Sequence, residues 1–124
     1  MTDPPPKPLF WVGSSRRDLR RFDVEVRRST GFALWQAQNG GKSIDAKSLR
    51  GFGGAGVLEI IQDHDGNTYR AVYTVKFAGA VYVLHAFQKK SKRGSKTPPA
   101  EMELIRKRLQ MAREHYEHWR TATE

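Results

Sequence analysis

The chain has 124 residues, 38% of them hydrophobic, which is room for one packed core and none for a second. It contains no cysteine, which excludes disulfides and thiolate metal sites, and its 22 Lys and Arg against 13 Asp and Glu give a net charge of +9. Such a balance suits a polyanionic partner, while the absence of any long apolar run argues against a membrane span.

The opening Thr2-Asp3-Pro4-Pro5-Pro6-Lys7 is polar and proline-rich and lacks the apolar region of a secretory signal. Residues 1–8 are therefore expected to be a disordered lead, residues 9–120 a single domain, and the cytoplasm its location. Pro8 to Val12 reads as a first strand. Ser15 with Asp18 offers a capping box for a helix whose inner face is Leu19, Phe22 and Val26. Thr30-Gly31 is expected to break this helix, and a second, antiparallel one runs from Phe32 through Trp35 to Gly40-Gly41.

The glycine-rich stretch Gly51 to Gly56 lacks the Lys-Ser/Thr ending and the preceding strand of a phosphate-binding loop, so it reads as a flexible lead into a strand. Three β-rich runs follow: Val57–Asp63, Thr68–Phe77 and Ala80–Phe87. They are separated by His64-Asp65-Gly66-Asn67 and by Ala78-Gly79, both hairpin signals, which predicts an antiparallel meander. After Thr97-Pro98-Pro99, the residues Met102, Ile105, Leu109, Ala112, Tyr116 and Trp119 recur at three- and four-residue spacing, the mark of a buried helical face. The expected fold is α+β, an antiparallel sheet with two N-terminal helices and a C-terminal helix covering one face.

Hairpin register converts this order into faces. Pairing Phe77 with Ala80 puts Arg70 opposite Phe87 and Val72 opposite His85. Pairing Asp63 with Thr68 puts Ile61 opposite Arg70 and Glu59 opposite Val72. Glu59, Arg70, Lys76, His85 and Phe87 then share an open face, with Ile60, Tyr73, Val75, Tyr82 and Leu84 on the other. A carboxylate, a guanidinium, an imidazole and an aromatic ring are the groups that cleavage of RNA by its own 2′-hydroxyl would use: a base, a cation at the crowded phosphate, and an acid at the leaving oxygen. The run after the last strand adds Lys89, Lys90, Lys92, Arg93 and Lys96, able to neutralise several phosphates.

Plainer readings stand beside these. A Glu–Arg pair across strands is more often an ion pair than a catalytic pair. A lone histidine in an apolar strand is usually structural, and a lysine run is often only a solvated loop. His115 and His118 are three apart on a helix but lack a third ligand, so no metal and no cofactor is expected.

The residues Gly54-Ala55-Gly56-Val57-Leu58-Glu59-Ile60, Tyr69-Arg70-Ala71-Val72-Tyr73, Val83 to Ser91 and Lys96-Thr97-Pro98, in that order, carry a resemblance. Together with Phe22 to Gly31 and Asp45 to Gly51, they resemble the phage-derived Gp49-like, HigB-type branch of the RelE/ParE toxins, over roughly residues 9 to 115. The resemblance implies a RelE-like sheet with helices packed on it and the toxin of a type II toxin–antitoxin system. For most members it implies an endoribonuclease that cleaves messenger RNA, often on the translating ribosome; that the cleavage is metal-independent is expected from the lack of cysteine and of a carboxylate or histidine cluster. It also implies as partners the ribosome, mRNA and a cognate antitoxin, expected to be a helix-turn-helix DNA-binding protein. The ParE branch instead inhibits DNA gyrase, and a nucleic-acid-binding module without catalysis is a third reading.

Many relatives carry Glu-Leu-Arg where this chain has Glu59-Ile60-Ile61, so the glutamate is kept and the arginine is absent. The resemblance makes Arg70 the phosphate-binding arginine and Lys89, Lys90 and Lys92 the basic cluster after the last strand; Glu59 is then our choice of general base, and His85 or a lysine such as Lys90 that of the acid. Lys76, Phe87, Lys89, Lys92, Arg93 and Lys96 are the expected RNA-binding residues.

Overall fold

A computed structural model of the chain describes residues 4–53, 56–89 and 96–123. The element order is β1 (Leu9–Trp11), α1 (Ser15–Arg20), α2 (Val24–Gln38), β2 (Ala46–Ser48), β3 (Val57–His64), β4 (Asn67–Thr74), β5 (Val81–Lys89) and α3 (Pro99–Thr123). The five strands form one sheet in the order β1-β5-β4-β3-β2. The meander is antiparallel as expected, but β1 joins β5 in parallel, so the sheet is mixed.

The helix boundary differs from the expected one. Thr30 and Gly31 lie inside α2, and the break falls at Arg21 to Asp23, where Asp23 takes an extended ψ of 148°. Gly31 is tolerated because it sits on the exposed side of a helix whose other side is anchored by Val26, Thr30, Ala33, Leu34 and Ala37. A mid-helix glycine costs only about 1 kcal/mol, less than that burial contributes. Ser14 donates to Asp18 at 2.6 Å at the start of α1, and Ser15 turns inward to donate to the Val83 carbonyl. Lys7, in the expected lead, exchanges hydrogen bonds with Gln38 at the end of α2.

The β3–β4 hairpin closes as the Asp-Gly pair predicts. Asp65 and Gly66 both have positive φ, 48° and 82°, the two-residue geometry matched to strand twist. This fixes Asp63 opposite Thr68, Ile61 opposite Arg70 and Glu59 opposite Val72. The next hairpin behaves differently. β4 ends at Thr74, and both Val75 N–H and the Thr74 hydroxyl donate to the Gly56 carbonyl. A turn from Phe77 to Ala80 then leads into β5.

Arg70 still faces Phe87 and Val72 still faces His85, but Tyr73 faces Val83, a slip of one residue at a bulge. A slip of one exchanges faces. Tyr82 and Leu84, expected beside Ile60 and Tyr73, therefore lie on the opposite side with Val72.

Helices cover both faces of the sheet, not one. Under α1 and α2 lie Leu58, Ile60, Tyr69, Ala71, Tyr73, Val81 and Val83. Against α3 lie Val57, Val72, Tyr82 and Leu84, with Ile105 and Ala112 fully buried between them and Phe10 and Trp119 at the edge. The face expected to be open is thus roofed along much of its length by α3. That roof exists because the predicted stripe from Met102 to Trp119 needs an apolar surface, and the bulge supplies Tyr82 and Leu84 for it. Among the described residues no helix is long and apolar enough to cross a membrane.

Candidate functional site

β3 and β4 place Glu59 and Arg70 on the α3 side of the sheet, one diagonal step apart. The Arg70 guanidinium donates from Nη1 to Glu59 Oε2 at 3.1 Å. Thr97, just before α3, completes a triangle: it accepts from Arg70 Nη1 at 3.3 Å and donates to Glu59 Oε2 at 3.2 Å. Glu59 is 3% exposed and Arg70 2%. The expectation of an open Arg70 is therefore corrected, because α3 and its lead-in close over the strand that carries it. At this depth each charge depends on its partner, since an ion left alone there would lose hydration without compensation.

His85 is equally enclosed, and it belongs to a second set of contacts. Its Nε2 is hydrogen-bonded to Glu101, its Nδ1 faces Arg108 Nη1 at 3.3 Å, and its ring stacks on Phe87 at 4.9 Å. A guanidinium can only donate, so Nδ1 is the accepting nitrogen and Nε2 holds the proton toward Glu101. Arg108 also donates to the Leu84 carbonyl at 3.0 Å and to Ser14 Oγ at 2.9 Å, and Ser14 in turn donates to Asp18. Burial pushes the Arg108 guanidinium below its ordinary value, with Asp18 and Glu101 opposing that shift. Gly13, at φ +56°, makes room for this arginine: a Cβ there would stand 2.8 Å from Arg108 Nε. This chain of contacts ties α1, β5 and α3 together. Its sequence signal was a charged residue, Arg108, set next to the apolar stripe at Leu109.

Among the described residues, two cavities of similar size concern the site. One, about 570 Å³, is lined by Glu25, Asp45, Asp63 and His64 among others. Asp23, His64 and Asp65 gather beside it, their ligating atoms within 4.8 Å of one another. Its sign is wrong for a phosphate. The other, about 630 Å³, is lined by Lys47, Ser48, Leu49, Arg50, Glu59, Lys96, Thr97 and Met102. Here the buried Glu59 and the half-buried Thr97 form part of the wall, and Lys47, Arg50 and Lys96 are exposed around them. Strand β2 places Lys47 directly opposite Glu59.

The cavity gathers some expected residues and leaves others out. Glu59 and Lys96 line it, Arg70 stands behind Glu59, and Lys89 donates to the Lys96 carbonyl at 3.3 Å. His85 and Phe87 are not among the lining residues. Lys76 lies past the end of β4, exposed and packed by its backbone against Gly56. Lys90, Lys92 and Arg93 lie outside the described residues. Lys47, Arg50 and Thr97 were missed as site residues, although alternation in Ala46-Lys47-Ser48 followed by Arg50 hints at a basic edge strand. His115 and His118 are occupied otherwise: His115 Nδ1 meets the Tyr82 hydroxyl at 2.8 Å, and His118 Nδ1 meets the Glu114 carbonyl in its own helix.

Comparison with known proteins adds a family and a distant structural likeness. The family model described as "Phage derived protein Gp49-like (DUF891)" matches residues 17–110. No curated protein matches the chain. The crystal structure of the toxin–antitoxin complex RelBE2 from Mycobacterium tuberculosis contains a similar chain. The two share 17% identity with a TM-score of 0.47, over 69% of this chain and 94% of that one.

Proposed function

The chain belongs to the phage-derived Gp49-like family, and from that premise we propose that it is the toxin of a type II toxin–antitoxin pair, cleaving messenger RNA without a metal. The observation that carries the reading is the basic cavity with one buried-edge carboxylate: Lys47, Arg50 and Lys96 exposed around Glu59. Exposed cations hold phosphates, and a carboxylate fixed by hydrogen bonds can take a proton at a defined place.

In this mechanism the scissile phosphate rests among Lys47, Arg50 and Lys96. Glu59 removes the proton from the 2′-hydroxyl, which attacks phosphorus as the bond to the 5′-oxygen breaks. The products are a 2′,3′-cyclic phosphate and a 5′-hydroxyl, the latter protonated by a rim ammonium. Arg70 and Thr97 position Glu59 by holding its Oε2. A lysine fits the acid role better than His85, whose two ring nitrogens are already engaged by Glu101 and Arg108. Glu59 is the one carboxylate among the described residues that line the cavity, which favours cationic side chains over a bound metal for stabilising the phosphate. The partners in this reading are mRNA on the ribosome and a cognate antitoxin, in the cytoplasm.

The test is induction in bacteria, with mapping of RNA 5′ ends and a gyrase supercoiling assay on the same cells. New 5′ ends with unaltered supercoiling are expected. Lost supercoiling without new ends would replace this reading by gyrase inhibition. In vitro, cleavage is expected to persist in excess chelator, and restoration only by added Mg²⁺ would contradict metal independence.

A further inference from the structure

The solvent side of α2 carries an apolar seam that the fold leaves uncovered. Val24, Arg28, Gly31 and Trp35 succeed one another at four-, three- and four-residue spacing, which aligns them along one side of a helix, with Phe32 beside them. Val24 is 48% exposed, Phe32 58% and Trp35 53%. Phe32 and Trp35 stack on each other, ring centroids 5.7 Å apart. Their opposite neighbours Val26, Ala33, Leu34 and Ala37 fill the core, so the seam lies outside it. At its middle, a Cβ on Gly31 would meet nothing within 4 Å, which leaves a notch where another helix can approach closely.

The seam is framed by positive charge. Between residues 16 and 28 there are six arginines, at 16, 17, 20, 21, 27 and 28, against Asp18, Asp23 and Glu25, and all six arginines are exposed. A second copy of the chain would bring +9 against +9 and two arginine borders together. A nucleic acid would want the rings apart as separate stacking pads, whereas here each ring covers the other.

We infer that this side of α2 is the docking surface for an acidic amphipathic helix of the antitoxin, an inference that rests on the toxin reading above. The apolar side of that helix lies over Val24, Gly31, Phe32 and Trp35, and its carboxylates meet Arg27, Arg28 and the arginines of α1. Apolar burial then gives most of the affinity, and charge gives encounter rate and register.

The experiment measures the affinity of the purified full-length toxin for the protein encoded beside it, together with neutralisation of growth arrest. Phe32→Ser with Trp35→Ser is expected to weaken binding at least tenfold and to abolish neutralisation, with growth arrest by the toxin alone unchanged. Gly31→Glu, in open space on a helix, is expected to preserve or raise the melting temperature while weakening binding at least tenfold. Gly31→Lys, of similar size and opposite charge, should weaken it less. Unchanged affinity in Phe32→Ser/Trp35→Ser, or equal losses for Gly31→Glu and Gly31→Lys, would overturn the inference while leaving the toxin reading intact. Loss of RNA binding in place of antitoxin binding, or self-association of the wild type that the double variant removes, would also overturn it. A wild type that arrests no growth and binds no neighbour-encoded protein would instead refute the toxin reading itself, and this docking surface with it.

Discussion

Glu59 and Arg70 are enclosed, whereas Lys47, Arg50 and Lys96, around the same cavity, are exposed. The two groups should answer mutation in opposite ways. An enclosed ion pair has given up its hydration, so removal of either partner is felt by the fold before it is felt by the substrate. An exposed cation has given up almost nothing, and its removal is felt by the ligand alone. Residues that look catalytic on a strand diagram are thus also structural here, and the cleaner probes of function are rim residues.

Three substitutions inside the molecule would break this contrast if they proved harmless. Arg70→Ala should cost about 3–5 kcal/mol of stability in urea unfolding, since it strands the Glu59 carboxylate. Replacing both Glu59 and Arg70 by apolar residues of similar size should recover much of that loss. Arg108→Ala removes donors to the Leu84 carbonyl, His85 and Ser14 and should cost about 1.5–3 kcal/mol. Gly13→Ala, forced into positive φ and against Arg108, should cost about 1–2 kcal/mol or more by the same measurement. Unfolding midpoints equal to wild type would mean that these groups are not held as described.

At the rim, Lys47→Ala with Arg50→Ala should leave stability within about 0.5 kcal/mol of wild type. The same pair should lower the salt dependence of RNA binding by about one phosphate contact per residue. An unaltered slope would make the rim a bystander.

The smallest expected effect concerns pH. Burial, aided by the neighbouring Tyr116, pushes the Tyr82 hydroxyl up to about 12 from its ordinary 10.0. A folded value above the unfolded one means that the proton is held more tightly in the native state. The associated stability is complete below about pH 10 and is lost as pH rises from there toward 12. Tyr82→Phe should flatten that alkaline decline, as read by melting temperature against pH, though Tyr69 and Tyr73, also raised by burial, will keep part of it.

Local chemistry made much of this legible in advance. The Asp65-Gly66 turn determines the β3–β4 register, while Arg70 comes to face Phe87 only across the bulge that separates it from the next hairpin. The stripe from Met102 to Trp119 marks α3 because helix periodicity survives without tertiary context. What could not be read depends on contacts between distant segments. The one-residue slip at Val72/Tyr73 sends Tyr82 and Leu84 to the α3 side, and nothing within β5 announces it. β2 is three residues long, so its alternation is only a hint and says nothing of its partner, yet it brings Lys47 to Glu59. Arg70 looked open because the residues that enclose it, Thr97 and the start of α3, are more than twenty-five positions away. His85 looked like a proton donor because Glu101 and Arg108 reach it only after α3 docks.

The central claim is that RNA is bound and cleaved at the basic rim around Glu59. Its most direct test is to induce wild type and a Lys47→Ala/Arg50→Ala/Lys96→Ala variant of equal melting temperature, then map RNA 5′ ends in the two cultures. New 5′ ends are expected with the wild type, and their near-complete loss with the variant. The same ends at the same frequency from both proteins would contradict it.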